Sequence, residues 1–172
     1  MRSILLALGI VAVSCAAGCS DNSEHVQKLR DALGKAKLSL ADSVGVAEAQ
    51  ATGSIGVRAQ LLVDVDPVFA VDAQASSSVK AMHVDIVTGK ILSVQTGGGA
   101  AEDCPGAVSL DAAIAAAEKE VSGEAVAIEP DDDGECNREV KVLAGDTLWE
   151  VKVAPNGSIV ESEEDDETTG DE

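Results

Sequence analysis

The chain has 172 residues and 45% of them are hydrophobic, so it is long enough to bury a core; with one Phe, one Trp and no Tyr, that core must consist of small aliphatic side chains. Its formal net charge is -19, from 31 acidic and 12 basic residues, and the basic residues form no dense cluster. Nucleic-acid binding requires clustered Lys and Arg, so the composition argues against a nucleic-acid partner.

The first 19 residues have the form of an export signal. Arg2 supplies a positive charge, residues 4–13 form an apolar run, and small residues follow. A membrane-spanning helix needs about 20 apolar residues, and this run is too short for one. The sequence therefore predicts export.

The end of this signal resembles the lipobox of bacterial lipoproteins. Ala16, Ala17 and Gly18 precede Cys19, as small residues precede the lipidated Cys of a lipobox. The resemblance implies that Cys19 is lipidated and becomes the new N-terminus, anchoring the protein to the cell membrane or the outer membrane. Cys15 is a rival lipid acceptor.

Residues 20–37 are polar, with Val26, Leu29 and Leu33 at helical spacing and Ser23 as a candidate cap. We predict a tether with some helix here. His25 lies in this segment without a second metal ligand nearby, so we expect an exposed polar side chain.

The chain contains an internal repeat, in which residues 39–94 echo residues 109–162. Helix positions match at a constant offset of 70, and strand positions match at slightly smaller offsets, as turn deletions would produce. The matched pairs include Ser39 with Ser109, Glu48 with Glu118, Val71 with Val140, Met82 with Val151 and Val84 with Val153. We predict one unit over residues 38–95, a flexible linker over residues 96–107, and a second unit over residues 108–162.

The second unit opens with a capped amphipathic helix. Ser109 is predicted to cap the first turn with its hydroxyl, Asp111 to complement the helix dipole, and Gly123 to supply the left-handed residue that ends the helix. Three predicted strands, separated by turns, follow the helix in each unit. They lie at residues 124–129, 137–143 and 147–153 in the second unit and at residues 57–65, 69–73 and 79–86 in the first. The predicted fold class is α+β, with two similar units that each pack one helix on a small antiparallel sheet.

Phe69 and Trp149 are the only large aromatic residues. Both suit a core or half-buried sheet position, although a Trp on a small sheet also suits a partner contact. The alternating residues Val140 and Val142 precede Trp149 on the neighbouring predicted strand. We predict these three residues as a contact surface for a partner.

Cys104 and Cys136 lie far apart in the sequence and have no nearby His, which argues against a zinc site. In an exported protein they are expected to form a disulfide, with two free buried thiols as the alternative. The acidic run at residues 131–135 lacks the ligand spacing of an EF-hand, so we expect a solvated hairpin tip rather than a calcium site. Residues 163–172 are predicted to be an acidic disordered tail.

The residues at the end of each unit, together with the second unit's helix, resemble a PepSY domain. Residues 109–115 read Ser-Leu-Asp-Ala-Ala-Ile-Ala, and residues 84–93 read Val-Asp-Ile-Val-Thr-Gly-Lys-Ile-Leu-Ser, similar to the typical close of that family. PepSY modules occur in propeptides of thermolysin-type metalloproteases and in secreted or membrane-attached bacterial proteins, where they are thought to inhibit or regulate peptidases. The resemblance implies a tandem pair of binding modules and supplies no catalytic residue.

The residue inventory does not suggest an enzyme. Apart from His25, the only His is His83, expected on the solvent side of its strand, so no base is available for a hydrolase triad. No cofactor or metal site is predicted. We expect an exported, lipid-anchored, non-enzymatic module that regulates an envelope peptidase; the alternative is an envelope adaptor or sensor that binds another envelope protein and responds to calcium.

Overall fold

A computed structural model describes residues 21–75, 78–98, 104, 106–131 and 135–165. The predicted signal, Cys15 and Cys19, residues 132–134 of the predicted hairpin tip and the last seven residues lie outside the described residues. The described residues form three helices and eight strands in the order α1 (Asp21–Leu33), α2 (Leu40–Gln50), β1 (Ile55–Leu62), β2 (Val68–Ala75), β3 (Ser78–Asp85), β4 (Ile91–Gly98), α3 (Leu110–Val121), β5 (Glu124–Pro130), β6 (Arg138–Ala144), β7 (Thr147–Val153) and β8 (Ile159–Glu164). After α1, a helix followed by four strands therefore occurs twice.

All eight strands join one antiparallel sheet in the order β4-β3-β2-β1-β5-β6-β7-β8. The α+β class is confirmed, but the small separate sheets that we predicted are replaced by one continuous sheet. The two halves meet where β1 pairs with β5, with Ala59 opposite Ile128 and Gln60 opposite Ala127. This pairing removes two exposed strand edges, whose unpaired backbone groups would otherwise attract other chains.

Helices α2 and α3 cover one face of this sheet. Each buries an apolar stripe at helical spacing, including Leu40, Val44 and Ala47 in α2 and Ala113, Ile114 and Ala117 in α3. The strands meet them with alternate side chains, and the resulting core is a single cluster that extends through both halves. The residues on the other face of the sheet point away from the helices, and we call that face the open face.

The ends of α3 differ from the sequence prediction. Ser109 lies at the N-cap position with extended backbone, but its side chain makes no capping hydrogen bond. The left-handed residue at the C-terminus is Ser122, with φ 57° and ψ 49°, and not Gly123. Gly123 is needed for space, because a Cβ there would lie 2.5 Å from the carbonyl oxygen of Leu143. In α2, by contrast, Ser39 forms a complete capping box with Asp42.

Helix α1 is packed on the body of the protein. Val26, Leu29 and Ala32 are 8%, 2% and 2% exposed, so the helical spacing noted in the sequence marks a buried stripe. The Nη2 atom of Arg30 donates to the carbonyl oxygen of Gly145 at 2.9 Å and also pairs with Asp146 in the β6–β7 turn. The segment predicted as a tether is therefore a docked helix over most of its length.

Each half has a fourth strand, β4 or β8, where only three were predicted, and the strand predicted over residues 57–65 ends at Leu62. The boundaries of the predicted tail and linker also move. Strand β8 continues through Glu164, and the Asp165 carboxylate accepts from Lys141 Nζ at 2.8 Å, so the first three residues of the predicted disordered tail are folded. Strand β4 extends to Gly98, which takes in the first part of the predicted linker. Within the described ranges, no helix combines the length and apolar character required to cross a bilayer.

Candidate functional site

The predicted contact surface is largely core. Val140 and Val142 are 0% exposed because they point from β6 into the layer beneath α3, so they cannot contact a partner and that part of the prediction is wrong. Trp149 lies opposite Val142 on β7 and is partly buried against the same core. Since the sheet continues past β7 into β8, these residues lie inside the sheet and not at its border.

The two edges of the sheet are the surfaces with free strand backbone, and they differ in chemistry. Strand β4 has no charged residue, and its Leu92 and Val94 are 57% and 48% exposed. Strand β8 carries Glu161, Glu163 and Glu164 along the opposite edge. Natural proteins commonly protect edge strands with charge, Pro or a bulge. Both edge strands have a bulge, at Leu92 in β4 and at Val160 in β8, but only β8 also has charge.

A tight turn positions β4 beside β3. The Asp85 Oδ1 atom accepts hydrogen bonds from the backbone N–H groups of Val87 and Thr88 at 3.1 and 2.6 Å and from the Thr88 hydroxyl at 2.7 Å. These bonds to Thr88 hold the pKa of the Asp85 carboxyl below its usual value. Gly89 follows with φ +68°, a conformation that favours glycine. The Asp-Ile-Val-Thr-Gly run thus forms the hairpin that presents the edge.

The open face of the second half carries rows of charged side chains. Glu139 on β6 lies between Glu129 on β5 and Lys152 on β7, and the next row pairs Lys141 with Glu150. Some of these charges are neutralised, because Lys152 Nζ lies 2.6 Å from an Asp131 oxygen and Arg58 Nε lies 3.3 Å from a Glu129 oxygen. The rows nonetheless place carboxylates directly beside one another.

This crowding changes the protonation of Glu139. Partial burial, together with the negative charges of Glu150, Glu129 and Asp131, raises the pKa of Glu139 to about 7. Burial also raises the pKa of Glu150, with the charges of Asp165 and Glu163 adding to the effect. The open face therefore includes a carboxyl group that titrates near neutral pH.

The disulfide predicted between Cys104 and Cys136 is present in the structure. Cys104 and Cys136 form a disulfide, with their Cα atoms 5.5 Å apart. It links the segment before α3 to the loop before β6. Among the residues that the structure describes, no group of three or more His, Cys, Asp and Glu side chains is arranged to hold a metal ion. His25 is exposed on α1, and His83 lies on the open face opposite Ala70.

Sequence reasoning did not distinguish the two edges, although a usable signal was present. The eight residues of β4 contain no charge in a chain that is one quarter charged. What was missing was the strand order, since only the β1–β5 pairing makes β4 and β8 the borders of the sheet.

Comparison with known proteins finds a family model that matches the second half of the chain. Residues 107–169 match the PepSY family model, described as the peptidase propeptide and YPEB domain. No curated protein matches the chain. A crystal structure of a candidate lipoprotein from Clostridium difficile 630 is similar with a TM-score of 0.47 and 17% identity, covering 75% of this chain and 94% of that one. The matched range contains α3 and strands β5 to β8. The second half of this chain is therefore similar to the PepSY family.

Proposed function

We propose that this protein is an exported, lipid-anchored and non-enzymatic binding module that regulates a peptidase at the cell envelope. The observation that carries the proposal is the PepSY match over α3 and the four strands that follow it, in a family described by its occurrence in peptidase propeptides. The lipid anchor is assigned to Cys19, on the strength of the small residues that precede it.

We further infer that residues 38–95 are a second PepSY-like unit. In each half, a helix glutamate accepts a hydrogen bond from the backbone of the first strand: Glu48 from the Gly56 N–H at 2.7 Å, and Glu118 from the Ala125 N–H at 3.0 Å. The repeat alignment matches these two glutamates, and shared contacts of this kind support a common origin for the halves.

The strand registers support the same inference. Val71 pairs with Met82 in the first half, and Val140 pairs with Val151 in the second. Register shifts also recur at equivalent points, between Gly56 and Arg58 in β1 and between Ala125 and Ala127 in β5. A bulge adds one residue to a strand and interrupts its regular pairing with the neighbouring strand. Its presence at equivalent positions in both halves therefore favours an internal duplication.

Edge β4 is the best-suited contact for the peptidase. An extended segment of the partner can add to a free strand edge through backbone hydrogen bonds. Residues 21–98 carry 9 acidic and 7 basic residues, whereas residues 99–172 carry 22 acidic and 4 basic residues. A partner strand that approaches β4 therefore meets a nearly neutral half of the molecule, and one that approaches β8 meets concentrated negative charge.

The test places a photo-crosslinking residue at Leu92 on β4 in the full-length protein, produced in its own cell. Val160 on β8 is a matched control, because both side chains are 57% exposed. We expect Leu92 to capture an envelope peptidase and Val160 not to capture it. The purified protein should then reduce cleavage of a peptide substrate by that peptidase in a dose-dependent way.

The variant Leu92→Lys tests whether inhibition of the peptidase depends on edge β4. We expect it to weaken inhibition at least tenfold, because a Lys on an edge strand opposes strand addition, while Val160→Lys leaves inhibition unchanged. Equal inhibition by wild type and Leu92→Lys would reject the β4 contact. Capture of envelope proteins that include no peptidase would reject peptidase regulation and favour the adaptor, which calcium titration of the captured complex would then test.

A further inference from the structure

Helix α1 is fixed to one end of the sheet. Its buried residues Val26, Leu29 and Ala32 hold it to the body, and Arg30 pairs with the β6–β7 turn. Beyond the helix, the backbone N–H of Lys37 donates to the carbonyl oxygen of Ile86 in the β3–β4 turn at 2.9 Å. The chain is therefore held at both sides of residues 34–36.

The contacts of Arg30 and Lys37 lie at the same end of the molecule. Asp85 at the end of β3 pairs with Val68 at the start of β2, which places the β3–β4 turn beside the β1–β2 loop. The antiparallel β1–β5 pairing brings the β6–β7 turn to that end as well. We call residues 63–67, 86–90 and 145–146 the anchor end. The far end holds the Cys104–Cys136 disulfide, the start of α3 and the β7–β8 turn.

Little chain separates this docked helix from Cys19. The helix begins at Asp21, and two residues span at most about 7 Å when fully extended. Five helical residues between Val26 and Asp21 add about 7.5 Å. A lipid on Cys19 is thus attached within about 15 Å of a side chain that is buried in the body of the protein.

We propose that α1 is a rigid mount that holds the anchor end against the lipid bilayer and directs the far end away from it. The inference rests on the proposed lipidation of Cys19. In this proposal the short reach sets the orientation; the anchor end also carries exposed Lys35, Lys37 and Lys90, together with Asp64 and Asp66. Since the strands run from the anchor end to the far end, edge β4 stands upright on the membrane with its backbone facing sideways.

Fluorescence quenching from the bilayer surface tests this orientation. Val65, 93% exposed in the β1–β2 loop, is replaced by Cys and labelled with bimane. The matched far-end variant is Ala112→Cys, at an exposed position in the first turn of α3. The full-length lipidated protein is placed in phosphatidylcholine–phosphatidylglycerol vesicles that carry nitroxide headgroups. We expect quenching at residue 65 to exceed quenching at residue 112 at least threefold.

A longer connection should remove the difference. Ten Gly and Ser residues inserted after Ser20 extend the reach by about 17 Å on average, so we expect the two positions to be quenched to within a factor of 1.5. The same ten residues added after Glu172 are the control and should preserve the threefold difference. Mass spectrometry of the N-terminal peptide is measured on every sample.

The outcomes separate the two proposals. An unmodified N-terminus would reject the lipid anchor and, with it, the mount. A lipidated Cys19 with equal quenching at both positions, or with stronger quenching at residue 112, would reject the mount and leave the anchor standing. A difference that survives the insertion after Ser20 would also reject the mount, because orientation would then not depend on the short connection.

Discussion

Glu139 gives the open face a measurable pH dependence. Its pKa is about 7 in the folded protein, against 4.5 for an unperturbed Glu, so the folded state keeps a proton that the unfolded state releases between these values. Stability from this group is complete below pH 4.5 and is lost as pH rises towards 7 and above. The cost arises because Glu139 must ionise while partly buried and beside the negative charges of Glu150 and Glu129.

We expect Glu139→Gln to remove this loss. The side chain is partly exposed and solvent screens its neighbours, so the variant should be more stable than wild type by about 1 kcal/mol at pH 8 and nearly equal to it at pH 4.5. Urea denaturation at both pH values measures the difference. Glu161→Gln on the exposed edge strand β8 is the control for a lost surface charge. Parallel stability curves for wild type and Glu139→Gln across this range would contradict the assigned pKa.

At the scale of elements, the two matched helices begin differently. The Ser39 hydroxyl accepts from the Asp42 N–H at 3.1 Å, and an Asp42 oxygen accepts from the Ser39 N–H at 3.0 Å. Ser109, at the equivalent position, makes no such side-chain bond. We expect Ser39→Ala to lower the free energy of unfolding by about 1 kcal/mol and Ser109→Ala to lower it by less than about 0.3 kcal/mol. Thermal or urea unfolding of the two variants checks this, and equal losses would show that Ser109 caps α3 in solution.

Local patterns in the sequence predicted three strands in each half but missed the edge strands β4 and β8. Residues 147–153 are β7 as predicted, with Trp149, Val151 and Val153 on one side, and the predicted strands at residues 124–129 and 137–143 are within one residue of β5 and β6 at each end. Periodicity of this kind reports which side of an element faces a core. It also marked the stripe of α1, but it does not show what the stripe packs against, and a polar segment of 18 residues was therefore predicted as a tether with some helix.

Relations between distant elements could not be read from the same patterns. The β1–β5 pairing depends on Ala59 and Ile128 meeting in space, and neither residue differs from an ordinary strand residue in the sequence. The alternation of Val140 and Val142 with polar residues implied that both side chains are buried. Predicting them as a contact surface assumed that their side of the sheet is exposed, whereas it is the side that the helices cover. Likewise, whether Ser122 or Gly123 takes the left-handed conformation depends on the close approach of Leu143.

For the whole molecule, one sheet and one continuous core imply cooperative unfolding. Residues from both halves, including Phe69, Val71, Ile128 and Val140, belong to the same buried cluster, so neither half can lose its packing without exposing the other. We therefore treat the described domain as a single cooperative unit in spite of its internal repeat.

The disulfide tests this cooperative unit. Cys104 and Cys136 close a loop with a sequence separation of 32, and chain entropy for such a loop corresponds to about 3 to 4 kcal/mol of stability. We expect the double variant Cys104→Ser with Cys136→Ser to lower the free energy of unfolding by about 2 to 4 kcal/mol. It should still unfold in one urea transition, because the shared core is untouched. Adding reductant to wild type should reproduce the loss, and adding it to the double variant should change nothing. Two separate transitions in either sample would show that the halves unfold independently, since the β1–β5 seam would then be too weak to couple them.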